Sequence, residues 1–126
     1  MRVFKTRSFA RFARSEGLAD AVLADAVRQA ERGLIDADLG GGLIKLRVAR
    51  AGSGKRGGYR TLLAYRARTR AVFLFGFAKN ERDNVSPVQL ADLKAAADDI
   101  LGRQERLLDE DREEGRLLEV DYDEEE

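Results

Sequence analysis

The sequence predicts an α+β domain in which an N-terminal strand and an αα-hairpin pack on a small antiparallel sheet, with a C-terminal helix and an acidic tail. Three observations carry this reading. Apolar residues recur at helical spacing over residues 8–33, at a period of two over 44–48, and at helical spacing again after Ser86. The strand-like segments follow one another through short connections, which favours an antiparallel meander. With 126 residues and 44% hydrophobic content, the chain can bury one modest core.

Met1–Lys5 is short, with Val3 and Phe4 apolar, and reads as an edge strand. Phe9, Phe12 and Ala13 then fall on one helical face behind Ser8, a residue suited to an N-cap, and Gly17 breaks the helix. Leu18, Val22, Leu23, Val27 and Ala30 form the stripe of a second helix, closed by Gly33 at a C-cap position. Asp38–Gly42 reads as a loop. Beyond it Ile44, Leu46 and Val48 alternate with Lys45 and Arg47, the pattern of a strand with one buried face. A glycine-rich connection, Ala51–Gly58, leads to the strand 58–66, and 70–79 is apolar on both faces and therefore central.

Ser86, Pro87 and Gln89 match the N-cap, N1 and N3 positions of a capping box. Leu90, Leu93, Ala97, Ile100 and Leu101 supply the inner face of the helix that follows, and Gly102 ends it. This divides the chain into a folded domain, 1–102, and an acidic C-terminal extension, 103–126. Within the extension Gln104–Glu114 suits a short helix, and the alternation of Leu118, Val120 and Tyr122 suits a last strand.

The formal net charge of zero conceals a strong asymmetry. Residues 1–82 carry 18 Lys and Arg against 7 Asp and Glu, a net +11, and residues 83–126 carry a net −11. A body of that sign suits a polyanion, although charge runs are also simply solvated faces. Cysteine and histidine are both absent, so thiolate and imidazole metal sites and the usual neutral-pH proton shuttle are excluded; no cofactor is expected. The longest apolar run, Ala71 to Ala78, is far shorter than the roughly 20 residues of a membrane span. The N-terminus lacks the apolar core of a secretory signal, so the expected location is the cytoplasm, without a membrane partner.

The cations gather on and beside the predicted sheet: Lys45, Arg47, Arg50, Lys55, Arg56, Arg60, Arg66, Arg68, Lys79 and Arg82. An antiparallel sheet can bring such positions into one cleft that neutralises RNA phosphates. Tyr59 and Tyr65 can stack on bases, but strands enrich tyrosine for packing as well. The loop AGSGKRGG is not a Walker-type phosphate loop. Ala49 replaces its first glycine, Arg56 replaces the magnesium-binding hydroxyl, and a strand follows instead of a helix. RNA cleavage in such a cleft needs no metal: arginines stabilise the charge growing on the phosphoryl oxygens. The base is then a lysine such as Lys45 or Lys55, a carboxylate, or a water organised by the substrate. Glu81, the nearby acid, suits an ion pair.

The segment Gly54-Lys55-Arg56-Gly57-Gly58 leading into Tyr59-Arg60, then the apolar strand, then Gly76-Phe77-Ala78-Lys79-Asn80-Glu81-Arg82, resembles the HigB-like branch of the RelE/ParE toxin superfamily. Ile44-Lys45-Leu46-Arg47-Val48 is similar to the family's second strand. The resemblance covers residues 1–101 in element order and is specific over 43–101. It implies a RelE-like fold and a toxin of a type II toxin–antitoxin system, acting as a metal-independent endoribonuclease that cleaves translated mRNA on the ribosome. The implied partners are a cognate antitoxin, expected to be a helix-turn-helix protein, together with ribosome and mRNA. Under it Arg60 takes the place of the arginine acting on the scissile phosphate, Lys45 that of a strand lysine with Arg47 beside it, and Lys79 or Arg82 that of the basic residue after the central strand. Lys55 and Arg56 match the branch's loop. The C-terminal catalytic tyrosine or histidine of some RelE-like toxins has no counterpart in 83–104, which leaves the base open. Two other readings remain: a ParE-like gyrase inhibitor, and a non-catalytic RNA-binding or regulatory module. The acidic tail either folds over the basic cleft or stays solvated.

Overall fold

A computed structural model describes residues 1–49, 58–79 and 84–123. The element order is β1 (Arg2–Thr6), α1 (Arg7–Glu16), α2 (Asp20–Glu31), β2 (Ala37–Gly40), β3 (Leu43–Val48), β4 (Tyr59–Arg66), β5 (Arg70–Ala78), α3 (Pro87–Leu101), α4 (Glu105–Glu113) and β6 (Leu117–Val120). Six strands form one sheet in the order β2-β3-β4-β5-β1-β6, with helices on both faces, so the α+β class predicted from the sequence holds.

Several local expectations need correction. The sheet is mixed, not purely antiparallel: β1 runs parallel to β5 while every other neighbouring pair is antiparallel. Nor is β1 an edge. It lies between β5 and β6, and its two apolar residues bury on opposite faces, Val3 in one core and Phe4 in the other. Thr6, not Ser8, caps α1, its hydroxyl accepting from Phe9 N at 3.2 Å. The segment read as a loop from Asp38 begins with the short strand β2, which pairs with β3. Capping at Ser86 and the break at Gly17, which adopts φ 70°, are as predicted.

The two cores lie on opposite sheet faces. Phe9, Ala13, Leu23, Val27 and Ala30 of α1 and α2 pack with Ile44, Leu46, Val48, Leu63 and Phe73. Ala97 and Leu101 of α3 and Leu108 of α4 pack with Leu43, Leu62, Ala64, Val72 and Phe77. A β-bulge at Leu74 sets which residues of β5 face each core. Leu63 pairs with Phe73 and Leu62 with Phe75, so Phe73 faces α1 whereas Phe75 and Phe77 face the other way.

Residues 105–120 are woven into this sheet. β6 pairs with β1, and Leu108, Leu117 and Val120 are buried. Arg2 binds Glu119, Glu105 and Asp109 at 2.9 Å each. Arg70, almost wholly buried, donates to the carbonyls of Ile100 and Arg103 at 2.8 Å and to Glu105 at 2.8 Å, closing the C-terminal end of α3. Hydrogen bonds from Arg70 and then Arg2 hold the Glu105 carboxyl below its ordinary range. Those from Arg103 and Arg116 do the same for Asp111. The chain then crosses α2, where Arg28 donates to the carbonyl of Asp123 at 2.9 Å and lies over the Tyr122 ring.

Candidate nucleic-acid interface

Register places the predicted cations. Arg47 lies directly opposite Arg60, and Lys45 opposite Leu62, which shares its face with Arg60. Arg60 in turn pairs with Phe77 on β5, and Lys79 follows Phe77 by two residues, its N–H donating to Gly58 O at 3.2 Å. Lys45, Arg47, Arg60 and Lys79 therefore project from one sheet face. It is the bulge at Leu74 that puts Lys79 there. This face is apolar where Leu43, Ala64 and Val72 meet α3, and cationic toward Val48 and Gly58.

The four differ in exposure. Arg47 and Lys79 are exposed, whereas the side chains of Lys45 and Arg60 retain only 15% and 9% of their accessibility. Between these two sits a residue that sequence reasoning did not single out. Asp36 Oδ2 lies 3.2 Å from Arg60 Nε and 3.8 Å from Lys45 Nζ. The signal available was the acid–apolar alternation Asp36–Leu39, set against that of Ile44–Val48.

Tyr59, a candidate RNA contact, belongs elsewhere. Its ring is buried on the opposite face at 2% exposure, edge-on to Phe12 at 5.8 Å and 87°, and offers no surface to a base. Gly76 makes room for that arrangement, because a Cβ there would meet Phe12 at 2.4 Å. Tyr65 is half-buried at the far end of β4, its hydroxyl donating to Glu31, which also accepts from Arg68 N at 3.0 Å. Burial, and then the Glu31 carboxylate, push the Tyr65 pKa well above its usual value. Arg66 and Arg68 belong to this far end, away from the cluster. Phe75 and Phe77, 6.2 Å apart, lie on the cationic face beside Arg60. Arg50, Lys55, Arg56, Glu81 and Arg82 lie outside the described residues.

The charge asymmetry in sequence is an asymmetry in space. Cations project from β3, β4 and the end of β5, whereas Glu105, Asp109, Asp111 and Glu119 engage arginines around α4 and β6 at the other side of the sheet. Up to Asp123 the acidic segment is fastened to α2 and does not fold over the cleft. Among the described residues no group of three or more Asp or Glu could hold a metal ion, and no helix is long and apolar enough to cross a membrane.

The family described as "RelE toxin of RelE / RelB toxin-antitoxin system" matches residues 1–120. The chain belongs to the RelE toxin family. A search among curated proteins gives no match. RelE membership makes the chain a toxin of a toxin–antitoxin system, with an antitoxin as its partner. The family match runs through α4 and β6, in keeping with their place in the sheet.

Proposed function

We propose that this RelE toxin is a metal-independent, ribosome-dependent endoribonuclease of the HigB-like branch, cleaving translated mRNA in the cytoplasm. The observation that carries this reading is the convergence of Lys45, Arg47, Arg60 and Lys79 on one sheet face, with Arg60 almost wholly enclosed. A surface that only binds protein has little need of four convergent cations, which repel one another in the absence of an anion.

In the proposed step the 2′-oxygen attacks the adjacent phosphorus. The 2′-O–P bond forms and the P–O5′ bond breaks, giving a 2′,3′-cyclic phosphate and a 5′-hydroxyl. The 2′-proton leaves to a base, and the 5′-oxygen gains a proton. Arg60, assisted by Lys45 and Lys79, neutralises the non-bridging oxygens as their charge grows. The base is a lysine, a carboxylate or a water organised by the substrate, and its protonated form or a water supplies the proton to the 5′-oxygen. Positioning of the RNA by the ribosome supplies the in-line geometry that the open face does not impose alone. Arg47 and, beyond the described residues, Arg50, Lys55, Arg56 and Arg82 serve RNA or ribosome contact.

The test is induced expression of wild type and Arg60→Ala, followed by mapping of mRNA 5′ ends. New ends inside translated codons, absent with Arg60→Ala and absent when translation is blocked, are expected. Growth arrest without new ends would refute the nuclease and direct attention to gyrase. No arrest would leave a binding module.

A further inference from the structure

Asp36 is the one carboxylate that pairs with the cationic face among the described residues. Its place is fixed from two sides. At the end of α2, Gly33 at φ 84° closes a Schellman motif, with Leu34 N donating to Gln29 O and Gly33 N to Ala30 O, both at 2.9 Å. Two residues after Leu34, Asp36 N donates to Lys45 O at 2.9 Å, extending the β2–β3 pairing by one step. The carboxylate thus hangs from a backbone anchored at both ends, beside the strand that carries Lys45.

Arg60 needs such a partner. It stands directly across from Arg47, and like charges at opposed strand positions repel. Asp36 approaches Arg60 at Nε, on the flank of the guanidinium. Among the described residues, the terminal nitrogens, Nη1 and Nη2, have no hydrogen-bond partner. A guanidinium held by its flank keeps its terminal nitrogens free for two parallel bonds to phosphate oxygens.

We propose that Asp36 is a positioning residue of the nuclease site, clamping Arg60 through Nε so that its terminal nitrogens meet the scissile phosphate already oriented. Lys45, on the same carboxylate oxygen, is drawn toward the same point. The catalytic consequence rests on the nuclease reading above; the clamp itself does not.

The experiment therefore has two readouts on wild type, Asp36→Ala and Asp36→Asn. The first is the {1H}-15N NOE of the Arg60 Nε–Hε pair, with the amide spectrum as the control for folding. The Arg60 signal is expected to be rigid in wild type, mobile in Asp36→Ala like that of exposed Arg106, and largely restored in Asp36→Asn, whose amide oxygen can take the place of Oδ2 beside Nε. The second readout is cleavage of mRNA on programmed ribosomes. The maximal rate is expected to fall about 10- to 100-fold in Asp36→Ala with KM within about threefold, the loss typical of a misplaced reacting group. Asp36→Asn recovers most of that rate with an unchanged pH profile.

A mobile Arg60 in wild type, or full activity in Asp36→Ala, would overturn the clamp. An Asp36→Asn protein as inactive as Asp36→Ala, with a limb of the pH profile missing, would also overturn it and make Asp36 a proton-transfer group. Absence of cleavage by wild type would refute the nuclease reading, and the NOE would still decide the clamp.

Discussion

Replacing Arg70 with methionine should cost the protein about 2–3 kcal/mol, although no part of the cationic face is touched. The Arg70 side chain is only 5% exposed and ties three elements together. It makes two bonds of 2.8 Å to the carbonyls of Ile100 and Arg103, and one of 2.8 Å to Glu105. A hydrogen bond from a charged donor contributes about 1.5–3 kcal/mol when its loss strands the acceptor. Water regains part of that at the partly buried carbonyls, so the two together are worth about 4 kcal/mol. The Glu105 pair adds less than about 1 kcal/mol, because Glu105 is half exposed. Against this, Arg70 Nε is buried without a partner, and methionine removes that penalty of about 1–3 kcal/mol. The net loss of about 2–3 kcal/mol corresponds to a Tm lower by about 10 °C in a domain of this size. Urea unfolding followed by circular dichroism measures it, with Arg106→Met, in an exposed i,i+4 pair, as a control expected within about 0.5 kcal/mol. A loss below about 1 kcal/mol would refute the assignment of Arg70 as the closure of α3.

Tyr59→Phe should leave mRNA cleavage within about twofold of wild type, whereas Tyr59→Ala should lower stability by about 3–5 kcal/mol, since the ring packs on Phe12 beneath the sheet. A selective loss of RNA binding in the phenylalanine variant would overturn that placement. Because the carboxyls of Glu105 and Asp111 titrate below their unfolded range, their contribution is present above about pH 4 and lost as acid protonates them in the folded protein. Denaturation midpoints measured from pH 7 down to 2 should show this fall, and Asp111→Asn should flatten it. Binding of single-stranded RNA, titrated against salt by fluorescence anisotropy, should lose about 0.7 from its log–log slope in Arg47→Ala if that exposed cation meets a phosphate. An unchanged slope would remove Arg47 from the interface.

What the sequence made legible is what depends on local pattern. The two N-terminal helices, the three strands of the meander and the Ser86–Pro87 helix start all follow from spacing and capping chemistry within a few residues. Long-range choices were hidden. Nothing in Arg2–Thr6 says that Val3 and Phe4 serve two cores, because a five-residue strand with adjacent apolar residues reads the same at an edge or inside. The bulge at Leu74 was equally silent: in a segment apolar on both faces, one extra residue leaves no break in alternation. Of the site, Lys45 and Arg47 were legible from alternation, and Arg60 from resemblance. Asp36 was not, because its role arises from a pairing with β3 that begins in a segment too short and too polar to announce a strand. Tyr59 misled for the opposite reason. A strand tyrosine beside an arginine faces the other way, and only the register tells which side is packed.

The position of β1 has a consequence for how the chain acquires its structure. β3, β4 and β5 join through neighbours in sequence, so their pairing closes short loops. β1 waits on a partner nearly seventy residues away, Arg2 against Arg70, and β6 can join only after β1 is in place. Loop-closure entropy therefore favours the meander as the early structure and the insertion of β1 and β6 as later events. The strands bearing Lys45, Arg47 and Arg60 would then acquire their register before the domain around them is complete. Pulse-labelled hydrogen exchange during refolding tests that order: protection in β4 should precede protection in β1, and the reverse sequence would show that the parallel pair nucleates the fold.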